Sequence, residues 1–444
     1  MIRKLFNSHS EGTSVFRNIN VSLIVKSLSM VIGIVSVPIY RSFFGTEDMY
    51  GLWMAIVSIL TWILFFDLGF GSGLRSKLGP LLDMGDKKKS KVMITSTYMG
   101  TLFVSIFLFI VSISLIWSLD FNSILNVPEG ILTPNEIKVS MSILSFGLCI
   151  EFVLKNISFI LYAQRRSGLA ALLTLASTIS LLSYFLIFQD SQIESKFIVS
   201  SIVYVTTVNV PLLFTTLIIF HRNKELRPKI EFFSLDDMKS IMSIGIVFFL
   251  IQMGFLFITQ TDGVLITSFY SPASNAEYTY YSKIFVFFVG LMGSVVQQPI
   301  WSVIALAKKN NDVGKIRKYS KITLFIAIGI FVICVIAGLS MQFIFNLWLG
   351  QFAPQVNYFY IGVFVLNSFV FLIANSFVII GNGLGLLKPQ LWIILSSALL
   401  KIPLILLLYY FSPVETWINI TIVNSVCYIP LMCILPLYIR KELK

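Results

Sequence analysis

Long apolar stretches separated by short polar segments run through the whole sequence. Twelve of them approach or exceed the roughly 20 residues that an α-helix needs to cross the hydrocarbon core of a bilayer. The predicted spans are 20–42, 49–69, 92–118, 137–163, 169–188, 197–220, 240–269, 278–305, 320–345, 357–382, 390–411 and 416–438. The pattern therefore predicts an all-α polytopic membrane protein with twelve transmembrane helices.

Composition agrees with a membrane protein and disfavours an enzyme. Apolar residues make up 57% of the chain and charged residues only 12%, whereas soluble domains are about one quarter charged. The four cysteines lie in apolar segments without a CxxC or Cys/His cluster, so neither disulfides nor a metal site is predicted. The sequence contains no Walker motif and no Ser/His/Asp constellation. We therefore expect no cofactor and no catalytic residues.

The distribution of basic residues predicts the orientation of the chain. With the N-terminus in the cytoplasm, 26 of the 33 lysines and arginines fall in cytoplasmic segments, and only Arg41, Lys138 and Lys196 fall outside. Because basic loops stay in the cytoplasm, both termini are predicted to be cytoplasmic. The net charge of +12 thus reflects topology and does not indicate a nucleic-acid partner. Tyr278–Tyr281 fits an interfacial aromatic belt, with sugar stacking as the alternative.

The two halves of the sequence resemble each other at an offset of about 220 residues. Spans 4, 5 and 6 align with spans 10, 11 and 12, and Pro211 falls opposite Pro430. The basic loop at Gly85–Lys89 is echoed by Asp312–Arg317. Six spans per repeat predict two six-helix lobes, residues 1–225 and 226–444, related by a pseudo-two-fold axis along the membrane normal, with the substrate between them.

Ionisable residues inside the spans are the candidate site residues, because each costs about 2.5–3.5 kcal/mol on insertion scales. The candidates for substrate binding are Lys26, Lys155, Lys283 and Lys401, and the candidates for ion coupling are Asp262 and Glu151. Since lysines outnumber acids, a cavity lined by these residues suits an anionic, phosphate-bearing substrate. Lys401 lies near the middle of span 11 with no acid in its own helix, so we expect it to face a water-filled cavity.

Other embedded charges have two interpretations each. Glu151 and Lys155 are four residues apart on one helical face, so they either neutralise each other or serve transport. Lys26 lies close enough to the cytoplasmic end of span 1 to extend to the interface, or it lines a wet cavity. Asp262 and Lys283 lie at similar depths in spans 7 and 8. They either pair across the helices or one of them titrates during transport.

A motif at the end of span 2 resembles a known family. Residues 66–75 read FDLGFGSGLR before a basic loop, and residues 44–53 read FGTEDMYGLW. This segment, together with the twelve-span, two-repeat pattern, resembles the Wzx-type O-antigen and polysaccharide-unit flippases of the multidrug/oligosaccharidyl-lipid/polysaccharide exporter superfamily. The motif residues, which we interpret as permitting close packing and a sharp exit from the membrane, are Asp67, Gly69, Gly71, Gly73 and Arg75.

The resemblance implies a cargo and a location. Such flippases move undecaprenyl-pyrophosphate-linked oligosaccharides from the cytoplasmic to the periplasmic leaflet of the bacterial inner membrane, through a central cationic cavity and with coupling to an ion gradient. It also implies a polysaccharide polymerase and a chain-length regulator as partners, besides membrane lipids. One departure is that this family often places arginines in the cavity, whereas this chain offers lysines, which lack the bidentate fork.

Two other functions remain as alternatives. A cation-coupled multidrug exporter of the same superfamily would carry acid-lined spans in its first half, where embedded acids are scarce. A polytopic polymerase or acyltransferase would need a large outer loop with clustered catalytic residues. The longest predicted outer loop covers only residues 119–136. The sequence therefore favours the flippase.

Overall fold

Helices make up nearly all of the structure, a computed structural model that describes residues 13–191, 193, 195–412 and 416–443; these contain no β-strand. The helices of the first half are α1 (Thr13–Phe44), α2 (Glu47–Leu60), α3 (Phe70–Asp83), α4 (Lys87–Ser118), α5 (Phe121–Ile124), α6 (Pro134–Leu154), α7 (Asn156–Ala163), α8 (Ser167–Ile187) and α9 (Lys196–Arg222). Those of the second half are α10 (Leu235–Gln260), α11 (Asp262–Phe269), α12 (Pro272–Leu291), α13 (Gln297–Lys309), α14 (Val313–Leu339), α15 (Met341–Leu349), α16 (Tyr358–Gly383), α17 (Leu387–Phe411), α18 (Ile418–Cys433) and α19 (Leu435–Glu442).

Among the described residues, eleven helical segments are long and apolar enough to cross a membrane. Each overlaps one of the predicted spans, so the prediction of an all-helical polytopic membrane protein is confirmed. The remaining predicted span, 278–305, lies in a continuous helical run formed by α12, a π-helical turn at Met292–Val296, and α13. The number of twelve spans and the orientation of the termini stay predictions.

The chain folds into two units. The first comprises the described residues up to Phe43 together with Leu60–Ile124 and Glu129–Phe249. The second comprises the described residues from Leu250 onwards and two short segments from the first half of the sequence, Phe44–Ile59 and Leu125–Pro128. These units are defined by contacts, whereas the predicted lobes 1–225 and 226–444 are defined by the sequence repeat and stay a prediction.

In the first unit, a core forms around the amphipathic helix α3. Phe70, Leu74 and Leu78 recur every four residues and are all buried, as expected for one apolar face of a helix. They belong to a cluster with side chains of α4, α7, α9 and α10. Arg75, beside this apolar stripe on α3, is exposed and lies over the ring of Tyr162 at 5.2 Å from its centroid. The core therefore fixes the segment that follows span 2.

A break between the 3₁₀ turn Thr61–Phe65 and α3 places the motif glycines against other helices. The carboxylate of Asp67 accepts hydrogen bonds from the N–H groups of Gly69 (2.9 Å) and Gly71 (3.2 Å). Gly69 has a φ of +78°, which glycine adopts at little steric cost. A Cβ on Gly71 would lie 2.1 Å from the Phe159 ring, so only glycine allows this approach.

In the second unit, α2 packs against the start of α12. A Cβ on Gly51 would lie 1.8 Å from the carbonyl oxygen of Pro272, and the Asn275 amide donates to the carbonyl of Gly51 at 2.8 Å. The rings of Tyr50 and Tyr280 stack with 6.0 Å between centroids. This contact explains why the segment Phe44–Ile59 belongs to the second unit.

The two basic loops that the repeat relates have the same local structure. Asp86 precedes α4 and accepts a hydrogen bond from the N–H of Lys89 at 2.9 Å. Asp312 precedes α14 and accepts one from the N–H of Lys315 at 2.8 Å. Both aspartates are N-caps, which satisfy a backbone donor that has no partner within the helix.

Candidate functional site

Span 7 is interrupted within the second unit, and an acidic side chain lies at the interruption. Helix α10 ends at Gln260, and α11 begins at Asp262. Asp262 is only 3% exposed, so its carboxylate is buried within the protein. A carboxylate at such a place requires a counter-charge and hydrogen bonds to offset the loss of hydration.

Lys401, from the middle of α17, supplies the counter-charge. Its Nζ donates to Asp262 Oδ1 at 2.6 Å, to Thr261 Oγ1 at 2.7 Å and to the carbonyl of Ile258 at 2.5 Å. The side chain is fully buried. Three oxygens thus use the three donors of the ammonium group.

The second carboxylate oxygen of Asp262 is held by two neutral donors from other helices. Tyr278, on α12, donates its hydroxyl to Oδ2 at 2.8 Å. Asn424, on α18, donates its amide to the same oxygen at 2.6 Å. The polar centre therefore joins predicted spans 7, 8, 11 and 12. We call Thr261, Asp262, Tyr278, Lys401 and Asn424 the buried polar centre.

This arrangement corrects two expectations drawn from the sequence. Asp262 is paired with Lys401 and not with Lys283, and Lys401 is enclosed by oxygens and does not face a water-filled cavity. Sequence reasoning also missed Asn424, and it interpreted Tyr278 as a residue of an aromatic belt or of a sugar-stacking surface. The available signal was that Asp262 and Lys401 each lack an opposite charge in their own helix. The depth of a residue along its predicted span does not show which spans are neighbours.

Three embedded lysines have no such partner. Lys26 on α1 is exposed, whereas Lys155, at the junction of α6 and α7, and Lys283 on α12 are half-buried. None of the three forms an ion pair with any residue that the structure describes. Lys26 and Lys155 belong to the first unit and Lys283 to the second. The charge of Lys155 acts on the nearby carboxylates of Asp67 and Glu151 without an ion-pair contact.

Glu151 in the first unit is an embedded acid that is incompletely satisfied. Its Oε2 is buried and has no hydrogen-bond partner among the described residues. Although Lys155 lies one helical turn away, the described ion pairs do not include one between these two residues. The two charges nevertheless attract each other, so mutual neutralisation and a role in transport, the two sequence-based interpretations, both stay predictions. A carboxyl group in this situation is suited to holding a proton or a small cation.

No resident metal centre is apparent in the part of the chain that the structure describes. It contains no group of three or more His, Cys, Asp or Glu side chains placed to hold a metal ion. The site features are therefore single embedded charges and one buried ion pair. Such features suit binding and translocation, since intramembrane charges line ion and substrate pathways.

Comparison with known proteins identifies the family and the fold. The family model described as polysaccharide biosynthesis protein matches residues 15–302. Comparison with curated proteins gives no match.

Solved structures of the MOP superfamily have the same fold. An inward-facing multidrug resistance MATE family transporter has a TM-score of 0.76 at 16% identity, over 93% of this chain and 95% of that chain. An outward-facing MATE transporter gives 0.64 at 15% identity, over 98% and 99%.

A third match is a MOP superfamily transporter from Pyrococcus furiosus, with a TM-score of 0.64 at 16% identity, over 99% of this chain and 100% of that chain. That transporter is described as having a binding pocket of reverse polarity, which suggests a different function. At these identities the structural matches show the fold alone. The family model, by contrast, covers more than half of the sequence. The chain therefore belongs to the polysaccharide biosynthesis protein family, as the span 2 motif indicated, and it has the fold of the MOP superfamily transporters.

Proposed function

We propose that the protein is a flippase for lipid-linked oligosaccharides. It would move an undecaprenyl-pyrophosphate-linked repeat unit, of the O-antigen or capsule type, from the cytoplasmic to the periplasmic leaflet of a bacterial inner membrane. Movement would follow alternating access and be coupled to an ion gradient. A polysaccharide polymerase and a chain-length regulator would act on the product side.

The observation that carries this proposal is the set of embedded lysines that form no ion pair with a described acid. Lys155 and Lys283 are half-buried, and Lys26 lies within span 1. Each embedded charge costs about 2.5–3.5 kcal/mol on insertion scales, and no described acid offsets it by an ion pair. A pyrophosphate offers several negative oxygens to such ammonium groups, and the hydrogen bonds to them are charge-assisted. Retaining three cations in the spans without an ion-pair contact is thus consistent with a strongly anionic cargo.

The four lysines of the sequence-based prediction now divide into two kinds. Lys26, Lys155 and Lys283 are proposed to contact the pyrophosphate. Lys401 is already neutralised by Asp262, so we propose that it holds the second unit in shape and does not bind cargo in this state. Glu151 becomes the preferred coupling group, because one of its oxygens has no partner.

The test is a set of charge-removing variants in the source bacterium after deletion of its own copy of the gene. Lys155→Gln and Lys283→Gln are expected to reduce surface polysaccharide. Binding of undecaprenyl pyrophosphate to the purified variants should weaken by about 10- to 150-fold, because a hydrogen bond to a charged group contributes about 1.5–3 kcal/mol. Lys155→Arg and Lys283→Arg should retain most binding. Lys88→Gln is the matched control, because Lys88 is exposed in a predicted cytoplasmic loop. Unchanged binding and surface polysaccharide in both glutamine variants would refute the assignment.

Glu151 supports one alternative, a cation-coupled multidrug exporter. A carboxylate in the first unit with one oxygen free of hydrogen bonds could attract an organic cation. Drug accumulation should then fall on overexpression and recover in Glu151→Gln. The flippase proposal instead expects no change in drug accumulation, and it expects Glu151→Gln to reduce polysaccharide export while leaving undecaprenyl pyrophosphate binding intact.

A further inference from the structure

The interruption of span 7 creates a group of oxygens aimed at one point. The helix is interrupted at Thr261, between α10 and α11. There the Thr261 hydroxyl donates a hydrogen bond to the carbonyl of Phe257 at 2.7 Å. The carbonyl of Ile258 points to Lys401 Nζ. In broken membrane helices, carbonyls released at the ends of half-helices are the groups that coordinate small cations.

The atoms around Lys401 Nζ are oxygens of the types that hard cations prefer. They comprise a main-chain carbonyl from Ile258, a hydroxyl from Thr261 and a carboxylate oxygen from Asp262, all within 2.5–2.7 Å of one nitrogen. The Phe257 carbonyl lies farther away, at 3.5 Å. Oxygen ligands of these types suit cations that resemble an ammonium group in charge and compactness.

The rest of the buried polar centre directs the charge of Asp262 to this point. Its other oxygen, Oδ2, accepts from the neutral donors Tyr278 and Asn424. Because those donors bring no charge, the negative charge of the carboxylate is balanced only at Oδ1. The charge of Asp262 therefore acts at the position that the Lys401 ammonium group occupies.

We propose that the oxygens of Ile258, Thr261 and Asp262 form a monovalent-cation site that the wild-type chain fills with its own Lys401 ammonium group. The chain carries its cation covalently, so Na⁺ and K⁺ are excluded from this site. The consequence for energy coupling, that Na⁺ does not act at Asp262, rests on the proposed transport function. The binding property itself does not.

Two variants of Lys401 distinguish the effect of removing its charge from the effect of removing its volume. Lys401→Ala removes the ammonium group and leaves room for an ion with water, whereas Lys401→Met removes the charge but keeps the space filled. The thermal unfolding midpoint of the purified full-length protein is followed as NaCl or KCl replaces choline chloride at constant ionic strength. We expect a saturable rise of about 2–5 °C for Lys401→Ala and no saturable change for wild type or Lys401→Met.

Further variants test the assignment of ligands. Asp262→Asn combined with Lys401→Ala should abolish the Na⁺ or K⁺ effect, and Thr261→Val combined with Lys401→Ala should weaken it. If Lys401→Ala is recovered in folded form only when Na⁺ or K⁺ is present during purification, that requirement is itself the expected binding effect. No cargo is needed for any of these measurements, so they are independent of the polysaccharide assay.

Three results would overturn the proposal. A saturable Na⁺ or K⁺ response in wild type equal to that of Lys401→Ala would show that the ammonium group does not occupy the site. A folded Lys401→Ala protein without any response would show that the oxygens do not bind a cation. Failure of Lys401→Ala to fold in any salt, with Lys401→Ser behaving in the same way, would show that the lysine is needed for more than its charge.

Discussion

Lys401 shows how a single charged residue is accommodated deep in an apolar helix. Its ammonium group has three close oxygen acceptors, one of which is the carboxylate of Asp262, and together they offset the cost of dehydration. The sequence correctly marks Lys401 and Asp262 as costly positions. It does not identify them as partners, because they are 139 residues apart and hydropathy alone does not reveal which helices pack together.

Removing one member of this pair is predicted to destabilise the protein strongly. In Asp262→Asn the ammonium group of Lys401 stays buried without a counter-charge, which costs about 3–5 kcal/mol. The thermal unfolding midpoint of the purified protein should fall well below that of wild type. Asp86→Asn is the matched control, because Asp86 is an exposed N-cap and asparagine caps a helix about as well.

The double variant Asp262→Asn/Lys401→Met completes the cycle. Since both charges are then absent, the midpoint should recover at least half of the loss, as seen when buried ion pairs are replaced by apolar groups. Strictly additive losses in the cycle would show that the two side chains do not act as a pair.

At the scale of elements, the junction between span 2 and α3 has a sequence signature that becomes clear only in three dimensions. Alternating glycines predict close approach, yet they do not say to what. In the structure Gly71 faces the ring of Phe159, and Gly73 faces the backbone of Ile241. The partners come from α7 and α10, far along the chain, so the sequence predicts the property and not the contact.

Alanine substitutions at these glycines should follow the identity of the opposing atom. In Gly73→Ala the new Cβ would lie 2.3 Å from the carbonyl oxygen of Ile241, and a backbone cannot move aside easily. In Gly71→Ala the opposing group is an aromatic ring that has some freedom to shift. We expect a loss of about 1–3 kcal/mol, larger for Gly73→Ala, measured as the thermal unfolding midpoint. Gly33→Ala is the control, since a Cβ there meets nothing within 4 Å; an equal loss in all three variants would contradict the prediction.

The two N-caps give a second prediction at the same scale. Asp86→Ala and Asp312→Ala each remove an acceptor for a backbone N–H at the start of a long helix. Each should lower stability by about 1 kcal/mol, and Asp→Ser at the same positions should restore most of it. Hydrogen exchange of Lys89 and Lys315 amides reports the effect locally. Unaltered exchange at both positions in the alanine variants would argue against the caps.

At the scale of the whole molecule, the sequence predicts the helical membrane architecture and the family, because length, hydropathy and loop charge are properties of segments. The sequence is less informative about the places where the backbone of the two halves differs. The first half breaks its helix at Phe66–Gly69, whereas the second half continues from Pro272 to Lys309 through a π-helical turn at Met292–Val296. A glycine-rich motif marks the break, and the π-helical segment carries no comparable signal.

Whether Pro272–Lys309 crosses the membrane determines the sidedness of everything that follows. With both termini cytoplasmic and twelve spans, Lys309 is cytoplasmic and Gln351 is periplasmic; if this run stays on one side, both assignments reverse. Single cysteines at these exposed positions, placed in a protein whose four native cysteines are replaced by serine, can be labelled with a membrane-impermeant maleimide. We expect labelling of Gln351→Cys in intact spheroplasts and of Lys309→Cys only after permeabilisation, with Asp120→Cys as the periplasmic reference and Lys88→Cys as the cytoplasmic one. The opposite pattern at Lys309 and Gln351, with both references unchanged, would reduce the spans to eleven and move the C-terminus to the periplasm.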